Sequence, residues 1–181
     1  MRLLRPGLSV SVGLLDHGPP FVPDVAAGTV AVPVLLSSGY HVHVDLPAQA
    51  PQAVVTTAVG PDPLLCVALA DRLAAAGYDG SAPVVLAAAG SADERSRSDV
   101  ARQAEMLAEH LDVDVSVAYV ASGEPRLADV KPAVVASYLL APGTFHDAVV
   151  GCGAGVVSAP IGAHEVVAEI VLRRYDATRA P

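Results

Sequence analysis

The segment that decides the fold reads Leu35-Leu-Ser-Ser-Gly-Tyr-His-Val-His-Val-Asp-Leu-Pro47. Its opening pattern returns in the second half of the chain as Leu139-Leu-Ala-Pro-Gly143. In both places an aliphatic run ends at a glycine, which is typical of a buried strand that passes into a turn. The recurrence indicates that the chain contains two copies of one structural unit.

Further matches appear in the same order when the first half is moved about a hundred residues along the second. The matched residues are Val10 and Val12 with Val115 and Val117, Pro20 with Pro125, Asp24 with Asp129, Gly60 with Gly162, and Arg72 with Arg174. Residues 83–111 have no counterpart before Leu8. We therefore predict two repeats, residues 1–80 and 81–181, the first of which lacks its opening strand-helix unit.

Short aliphatic runs between glycine and proline residues predict strands at Leu8–Leu15, Thr29–Leu36, Ala53–Ala58, Pro83–Ala88, Val113–Val120, Ala133–Leu140 and Gly155–Ala159. Apolar residues at three- and four-residue spacing, with capping residues, predict helices from Asp62 to about Ala76, from Ser96 to His110 and from His164 to Tyr175. Because strands and helices alternate, we expect an α/β fold of mostly parallel sheets flanked by helices.

The amino-acid composition argues against several classes of protein. The chain has 52% hydrophobic and 17% charged residues, as expected of a folded protein with a large core. Its net charge of −8 and the absence of a basic run argue against nucleic acid as a partner. No apolar run is long enough to span a membrane. Cys66 and Cys152 are isolated in sequence, which argues against a disulfide or thiolate metal site and favours the cytoplasm.

His41 and His43 are the first candidates for chemistry, because they follow a strand end, where open α/β sheets hold ligands. Histidine is the commonest ligand of borderline divalent metals. The two imidazoles point the same way only if the backbone is extended, whereas in a helix only one of them faces a given site. The alternative is that both are exposed loop residues.

This segment resembles the Leu-Leu-x-x-Gly-x-His-x-x-x-Asp-hydrophobic-Pro motif of the small sirohydrochlorin chelatases. The segments from Val84 to Asp93 and from Val135 to Asp147 are similar to parts of that family's second repeat, so the resemblance covers nearly the whole chain. It implies a chelatase-like α/β fold and assigns the role of metal ligand to His41. His43 is then its neighbour and a second candidate ligand.

The chain departs from the family pattern at two places. The family's other ligand lies in a His-Gly-Ser loop, and the second half has Ala89-Gly90-Ser91 there. The acidic residue before a proline, which handles protons in the family, is present as Glu124 but replaced by Pro19 in the first half. His17 is a candidate substitute. His146 stands one residue beyond the position that matches the ligand, which makes it a further candidate for metal.

Metal insertion needs a ligand for the divalent ion and a base for the pyrrole N–H protons. We therefore expect a cleft between the repeats that brings His41, His17, Glu124 and His146 together. The resemblance implies that cobalt or iron is inserted into sirohydrochlorin or a related tetrapyrrole, for B12 or siroheme synthesis, without an organic cofactor. One alternative is a tetrapyrrole or metal carrier without turnover. Another is a reading frame that truly starts further upstream.

Self-association is also expected. If the first repeat lacks an edge strand, its sheet exposes unpaired backbone groups, and a homodimer is one way to cover them.

Overall fold

The structure is a computed structural model, and it describes residues 4–179. It contains two separate parallel sheets, one in each half of the chain, with helices packed against both. The predicted α/β class, with parallel sheets flanked by helices, is confirmed. We refer to residues 4–80 as the N-terminal half and to residues 81–179 as the C-terminal half.

The C-terminal half holds a four-stranded sheet in the order β4-β3-β5-β6, in which every pair is parallel. Its strands are β3 (Val84–Gly90), β4 (Val115–Ser122), β5 (Val134–Tyr138) and β6 (Val156–Val157). All four lie within or next to the predicted runs. β3 and β5 are the two central strands, and β5 is buried at every residue, which explains why both read as continuous apolar runs.

The longer helices also lie where they are predicted. They are α3 (Pro63–Ala75), α4 (Glu94–Leu111) and α6 (Glu165–Ala177), while α5 (Thr144–Val150) is shorter. Asp62 caps α3, because its side chain accepts a hydrogen bond from the Leu64 N–H at 3.0 Å. Asp93 caps α4 in the same way through the Arg95 N–H. α3, α4 and α6 pack with one face of the C-terminal sheet to form the main core.

The N-terminal sheet is much smaller than predicted. It contains only β1 (Val30–Ala31) and β2 (Val54–Val55), with the short helices α1 (Val22–Val25) and α2 (Leu46–Gln49) beside it. The predicted strand Leu8–Leu15 is wrong, since only Leu14 forms a bridge, with Phe21. The alternating pattern is right for a strand, but a strand also needs a neighbour, and this segment has none.

The two halves share several local structures. Leu14 bridges Phe21 in the N-terminal half as Tyr119 bridges Arg126 in the C-terminal half. The bond from Leu14 N–H to the Pro20 carbonyl, 2.8 Å, has its equivalent in the bond from Tyr119 N–H to Pro125, 2.9 Å. The equivalents of β1 and β2 are β5 and β6. No described residue of the N-terminal half supplies an equivalent of β3. In the C-terminal sheet, β3 is a central strand and not an edge strand.

Arginine side chains from each half donate hydrogen bonds to backbone carbonyls of the other half. Arg72 of α3 donates to the Ile161 carbonyl at 2.9 Å, and Arg174 of α6 donates to the Ala58 carbonyl at 3.1 Å. Arg173 and Arg174 also pair with the buried carboxylate of Asp62. Because each helix bonds the loop of the opposite half, the junction is fixed by directional contacts as well as by the apolar core.

Candidate functional site

The segment that carries His41 is helical. A single π-helical turn runs over His41–Asp45 and continues directly into α2. It begins at the Gly39 carbonyl, which accepts hydrogen bonds from the N–H groups of Val42 and His43. The extended conformation that would align the two imidazoles is therefore absent. His41 and His43 lie on roughly opposite sides of the turn, so that they do not act as a pair on one ion.

His41 is held by a carboxylate from the next turn. Its Nδ1 lies 2.6 Å from Oδ2 of Asp45, and the imidazole remains largely exposed. A carboxylate accepts the Nδ1–H of a neutral imidazole, which leaves the Nε2 lone pair free and fixes the orientation of the ring. This is the arrangement that metal-ligating histidines have in proteins. Asp45 was not predicted as a site residue, although its four-residue spacing from His41 is a usable signal once the segment is known to be helical.

Contacts from the C-terminal half hold the residues just before the turn. The Ser38 N–H donates to Oδ2 of Asp99 at 2.7 Å, and the hydroxyls of Ser37 and Ser96 lie 2.8 Å apart. The Tyr138 hydroxyl donates to the Leu36 carbonyl at 2.7 Å. The segment that leads to His41 is therefore hydrogen-bonded to α4 and β5. These bonds hold the backbone just before His41 at the junction of the two halves.

A buried polar network supports this attachment. Gln103 is fully buried, and its Oε1 accepts from the Asp62 N–H at 2.9 Å while its Nε2 lies 3.1 Å from Sγ of Cys66. Tyr138, whose hydroxyl also reaches Gln103 at 3.4 Å, is buried, and burial raises the pKa of its phenol well above the usual value. No described side chain leaves a buried polar atom without a partner. The network is therefore complete and rigid.

Cysteine labelling tests the burial of this network. Burial raises the pKa of Cys66 to about 11. We expect iodoacetamide at pH 8 to modify the partly exposed Cys152 and to leave Cys66 unmodified in the native protein, because only the thiolate reacts. Peptide mass spectrometry measures both sites, and labelling in denaturant is the control. Modification of Cys66 at the same rate in native and denatured protein would show that the network is open.

The end of β3 and the loop after it approach the same region from the C-terminal half, where the Ser91 hydroxyl would lie 3.5 Å from a Cβ added at Gly39. Gly90 has a positive φ of 93°, and an added Cβ would lie 1.8 Å from the Ser122 carbonyl oxygen, so only glycine fits. The Arg95 guanidinium holds the pKa of Asp93 at about 2, and His43 adds a smaller effect in the same direction. Ala89 itself supplies no group that binds metal.

The other predicted site residues belong to other segments of the chain. His17 is 90% exposed in its side chain and its Nε2 lies 3.2 Å from Oδ1 of Asp16. Glu124 is exposed, in the loop after β4. His146 lies on α5, where its Nδ1 is 3.1 Å from the Ser137 hydroxyl. Ser137 and Tyr138 are consecutive strand residues that face opposite sides of the sheet, so His146 lies opposite the face that α4 covers.

Over residues 4–179, no three His, Cys, Asp or Glu side chains are grouped so that they could hold one metal ion. His41, His43 and His146 therefore do not form a shared three-ligand site. The arrangement that is present is an exposed imidazole, oriented by a carboxylate, at the seam of the two halves. A single imidazole of this kind would supply one ligand to a divalent ion and leave the other coordination positions to another molecule.

Comparison with solved structures identifies the fold. SirB from Bacillus subtilis, solved with Fe³⁺, superposes with a TM-score of 0.76 at 22% identity, over 97% of this chain and 85% of that one. The chain has the chelatase fold. The sirohydrochlorin chelatase SirB of Bacillus subtilis subspecies spizizenii, in complex with cobalt, gives a TM-score of 0.71 at 22% identity, over 98% and 85% of the two chains.

A third protein with the chelatase fold is CbiX, described as the terminal enzyme for biosynthesis of siroheme in denitrifying bacteria. Its TM-score is 0.68 at 21% identity, over 88% of this chain and 80% of that one. Neither a protein-family model nor a curated protein sequence matches the chain. The resemblance to chelatases predicted from the sequence is thus confirmed by structure. Within residues 4–179, none of the helices has the length and apolar character needed to cross a bilayer.

Proposed function

We propose that this protein is a sirohydrochlorin chelatase-like enzyme that delivers Co²⁺ or Fe²⁺ to a tetrapyrrole. The observation that carries the proposal is the His41–Asp45 pair, 2.6 Å apart, on the chelatase fold and at the position that the Gly-x-His motif assigns to the ligand. The metal is a substrate. A single protein ligand suits delivery, because the nitrogens of the macrocycle supply the final coordination and the ion must leave the protein.

In the insertion step, the bonds formed by the metal replace bonds that are broken, and two protons are released. The divalent ion exchanges its bond to Nε2 of His41 for bonds to the pyrrole nitrogens, and the two pyrrole N–H protons leave to a base. His17 and Glu124 are the proposed proton acceptors, and both are exposed enough to pass protons to water. No electron transfer is involved, so no organic cofactor is required.

The alternative is a carrier that binds metal or tetrapyrrole without turnover. It is favoured by Ala89, which replaces the second ligand of the family pattern, and by the absence of a three-ligand group in the described part of the chain. The deciding experiment mixes the purified protein with sirohydrochlorin and Co²⁺ or Fe²⁺ and follows the absorption change. Insertion faster than in the no-protein control supports the enzyme. Macrocycle binding without acceleration supports the carrier and rejects the enzyme.

Asp45 provides a separate test of the ligand. We expect Asp45→Ala to weaken Co²⁺ binding about 10-fold, because removing the group that orients a ligating histidine typically costs 10–100-fold in metal affinity. Asp45→Asn should have a smaller effect, since its amide oxygen still accepts the Nδ1–H. Calorimetric titration with Co²⁺ alone measures both. Glu105→Ala, which removes an exposed carboxylate elsewhere, is the control. Equal affinities in Asp45→Ala and the control would show that Asp45 has no orienting role.

A further inference from the structure

A cavity of about 400 Å³ lies at the junction of the two halves, beside the segment that carries His41. Ser38 and Thr57 form part of its wall on the N-terminal side, and Asp99 and Arg102 of α4 form part of it on the C-terminal side. Ser38 is three residues before His41, so their Cα atoms are at most about 11 Å apart. A molecule of macrocycle size is therefore large enough to reach from the cavity to His41.

Arg102 differs from the other described arginines in having no partner among residues 4–179. This part of the chain contains nine arginines, and eight of them donate a hydrogen bond to a carbonyl, a carboxylate or the Tyr175 hydroxyl, Arg102 being the exception. Its guanidinium is always charged, and its planar fork of N–H groups matches a carboxylate, which it can bind through two parallel hydrogen bonds. Arg102 is thus available to an anion in the cavity.

The other charged groups around the cavity are already paired or hydrogen-bonded. Arg173 and Arg174 both pair with the buried carboxylate of Asp62. Asp99 lies three residues before Arg102 on α4 but forms no ion pair with it among the described contacts, and its carboxylate accepts a backbone N–H instead. Three guanidinium groups therefore stand against two carboxylates. This leaves one positive charge in excess, in a chain whose net charge is −8.

Thr57 adds a second donor from the opposite half. It is exposed and lines the cavity, and its hydroxyl has no hydrogen-bond partner among the residues that the structure describes. A hydroxyl and a guanidinium that face one cavity from different halves suit a ligand with carboxylate oxygens.

We propose that this cavity binds a carboxylate arm of the tetrapyrrole, through the Arg102 guanidinium and the Thr57 hydroxyl. The inference rests on the proposed function, because sirohydrochlorin carries acetate and propionate arms around its rim. A carboxylate held between the two donors fixes the macrocycle relative to His41, so that the pyrrole nitrogens meet the ion in one orientation. Arg102 is then a substrate-binding residue that has no contact with the metal.

Titration of the full chain with metal-free sirohydrochlorin, followed by the fluorescence of the macrocycle, tests the cavity without any insertion step. We expect Arg102→Ala to weaken binding about 10-fold, which is the lower end for a hydrogen bond between charged groups. Arg102→Lys should weaken it less, because the charge is kept while the fork is lost. Lys131→Ala is the matched control and should bind normally. It removes one positive charge from an exposed residue that precedes β5, at the other end of that strand from Tyr138.

The methyl ester of the same macrocycle identifies the group that Arg102 binds. Esterification removes the negative charge of each arm, so Arg102→Ala should lower the affinity for the acid and leave the affinity for the ester unchanged. An equal loss of affinity for acid and ester would overturn the inference, because Arg102 would then act on the macrocycle without its carboxylates.

The remaining outcomes separate this inference from the proposed function. Equal affinity of Arg102→Ala and Lys131→Ala for the acid would overturn the inference and leave insertion at His41 intact. Calorimetric heat with citrate that disappears in Arg102→Ala, without any change in macrocycle affinity, would assign the cavity to a free carboxylate and also overturn it. Binding through Arg102 without insertion would support the inference and reject the enzyme. A chain that does not bind the macrocycle would reject both.

Discussion

Replacement of His41 with alanine is expected to slow protein-dependent insertion of Co²⁺ into sirohydrochlorin by roughly 100-fold, which is at the lower end of what one positioned catalytic side chain contributes. The reason is that the turn at His41–Asp45 offers one oriented imidazole, and over residues 4–179 no cluster of three His, Cys, Asp or Glu side chains could hold the ion in its place. Stopped-flow absorption of the macrocycle at saturating metal measures the rate, after subtraction of the spontaneous reaction.

Two further histidine variants sharpen this test. His110→Ala is the control, because His110 is an exposed residue in the last turn of α4, away from every candidate site, and its removal should leave the rate unchanged. His43→Ala separates the two imidazoles of the segment, since they lie on opposite sides of the turn. If His43→Ala slows insertion while His41→Ala does not, the ligand is His43 and the assignment made here is wrong.

Replacement of Gly60 with alanine is expected to destabilise the fold by about 3 kcal/mol, through overpacking and the loss of a buried hydrogen bond. An added Cβ would lie 2.4 Å from the Leu36 carbonyl oxygen and 2.6 Å from the Tyr138 hydroxyl. These are the two atoms whose hydrogen bond attaches the His41 segment to β5. The carbonyl cannot withdraw without breaking that bond, so the strain is not relieved by a change of rotamer.

Thermal unfolding followed by circular dichroism measures the effect, which corresponds to a fall in melting temperature of roughly 10 °C in a chain of this size. Gly7→Ala is the control, because nothing lies within 4 Å of a Cβ added at Gly7. Its melting temperature should stay within about 2 °C of the unmodified protein. A Gly60→Ala protein as stable as this control would mean that Leu36 and Tyr138 are not in contact.

The C-terminal half could be predicted well from the sequence because its signals are local and agree with one another. The runs at Pro83–Ala88 and Ala133–Leu140 are apolar throughout, as central parallel strands are, and glycines and prolines mark their ends. Asp62 before Pro63 gives both an N-cap and a first-turn proline, and α3 begins there. Where propensity, burial and capping favour the same structure, the tertiary fold does not override them.

The N-terminal half was predicted less well, because a strand forms only where a second strand is available to pair with it. Leu8–Leu15 alternates apolar and small residues as a half-buried strand does, but pairing is a property of two strands. In the C-terminal half the matching segment is β4, which pairs with β3. With no equivalent of β3 available among the described residues, the segment stays unpaired except at Leu14.

The conformation at His41 could not be predicted for a different reason. The segment carries a helical signal, but its sequence is also compatible with an extended chain. Alternating Val and His residues are compatible with an extended chain, and β-branched residues favour it. Yet Val42, Leu46 and Ala50 are spaced at four-residue intervals and are all buried, which places them on one helical face. That spacing also predicts the contact from His41 to Asp45. The positions of His17, Glu124 and His146 relative to His41 could not be predicted, because loop paths decide where such residues lie.

A titration of the protein with Co²⁺ alone, observed through the ring protons of its six histidines by NMR, tests most directly whether His41 is the metal ligand. The His41 signals are expected to shift and broaden at the lowest metal concentration, and Asp45→Ala is expected to raise the concentration required. Preferential broadening of His146 or His17, with the His41 signals unchanged, would contradict the assignment of His41 as the metal ligand.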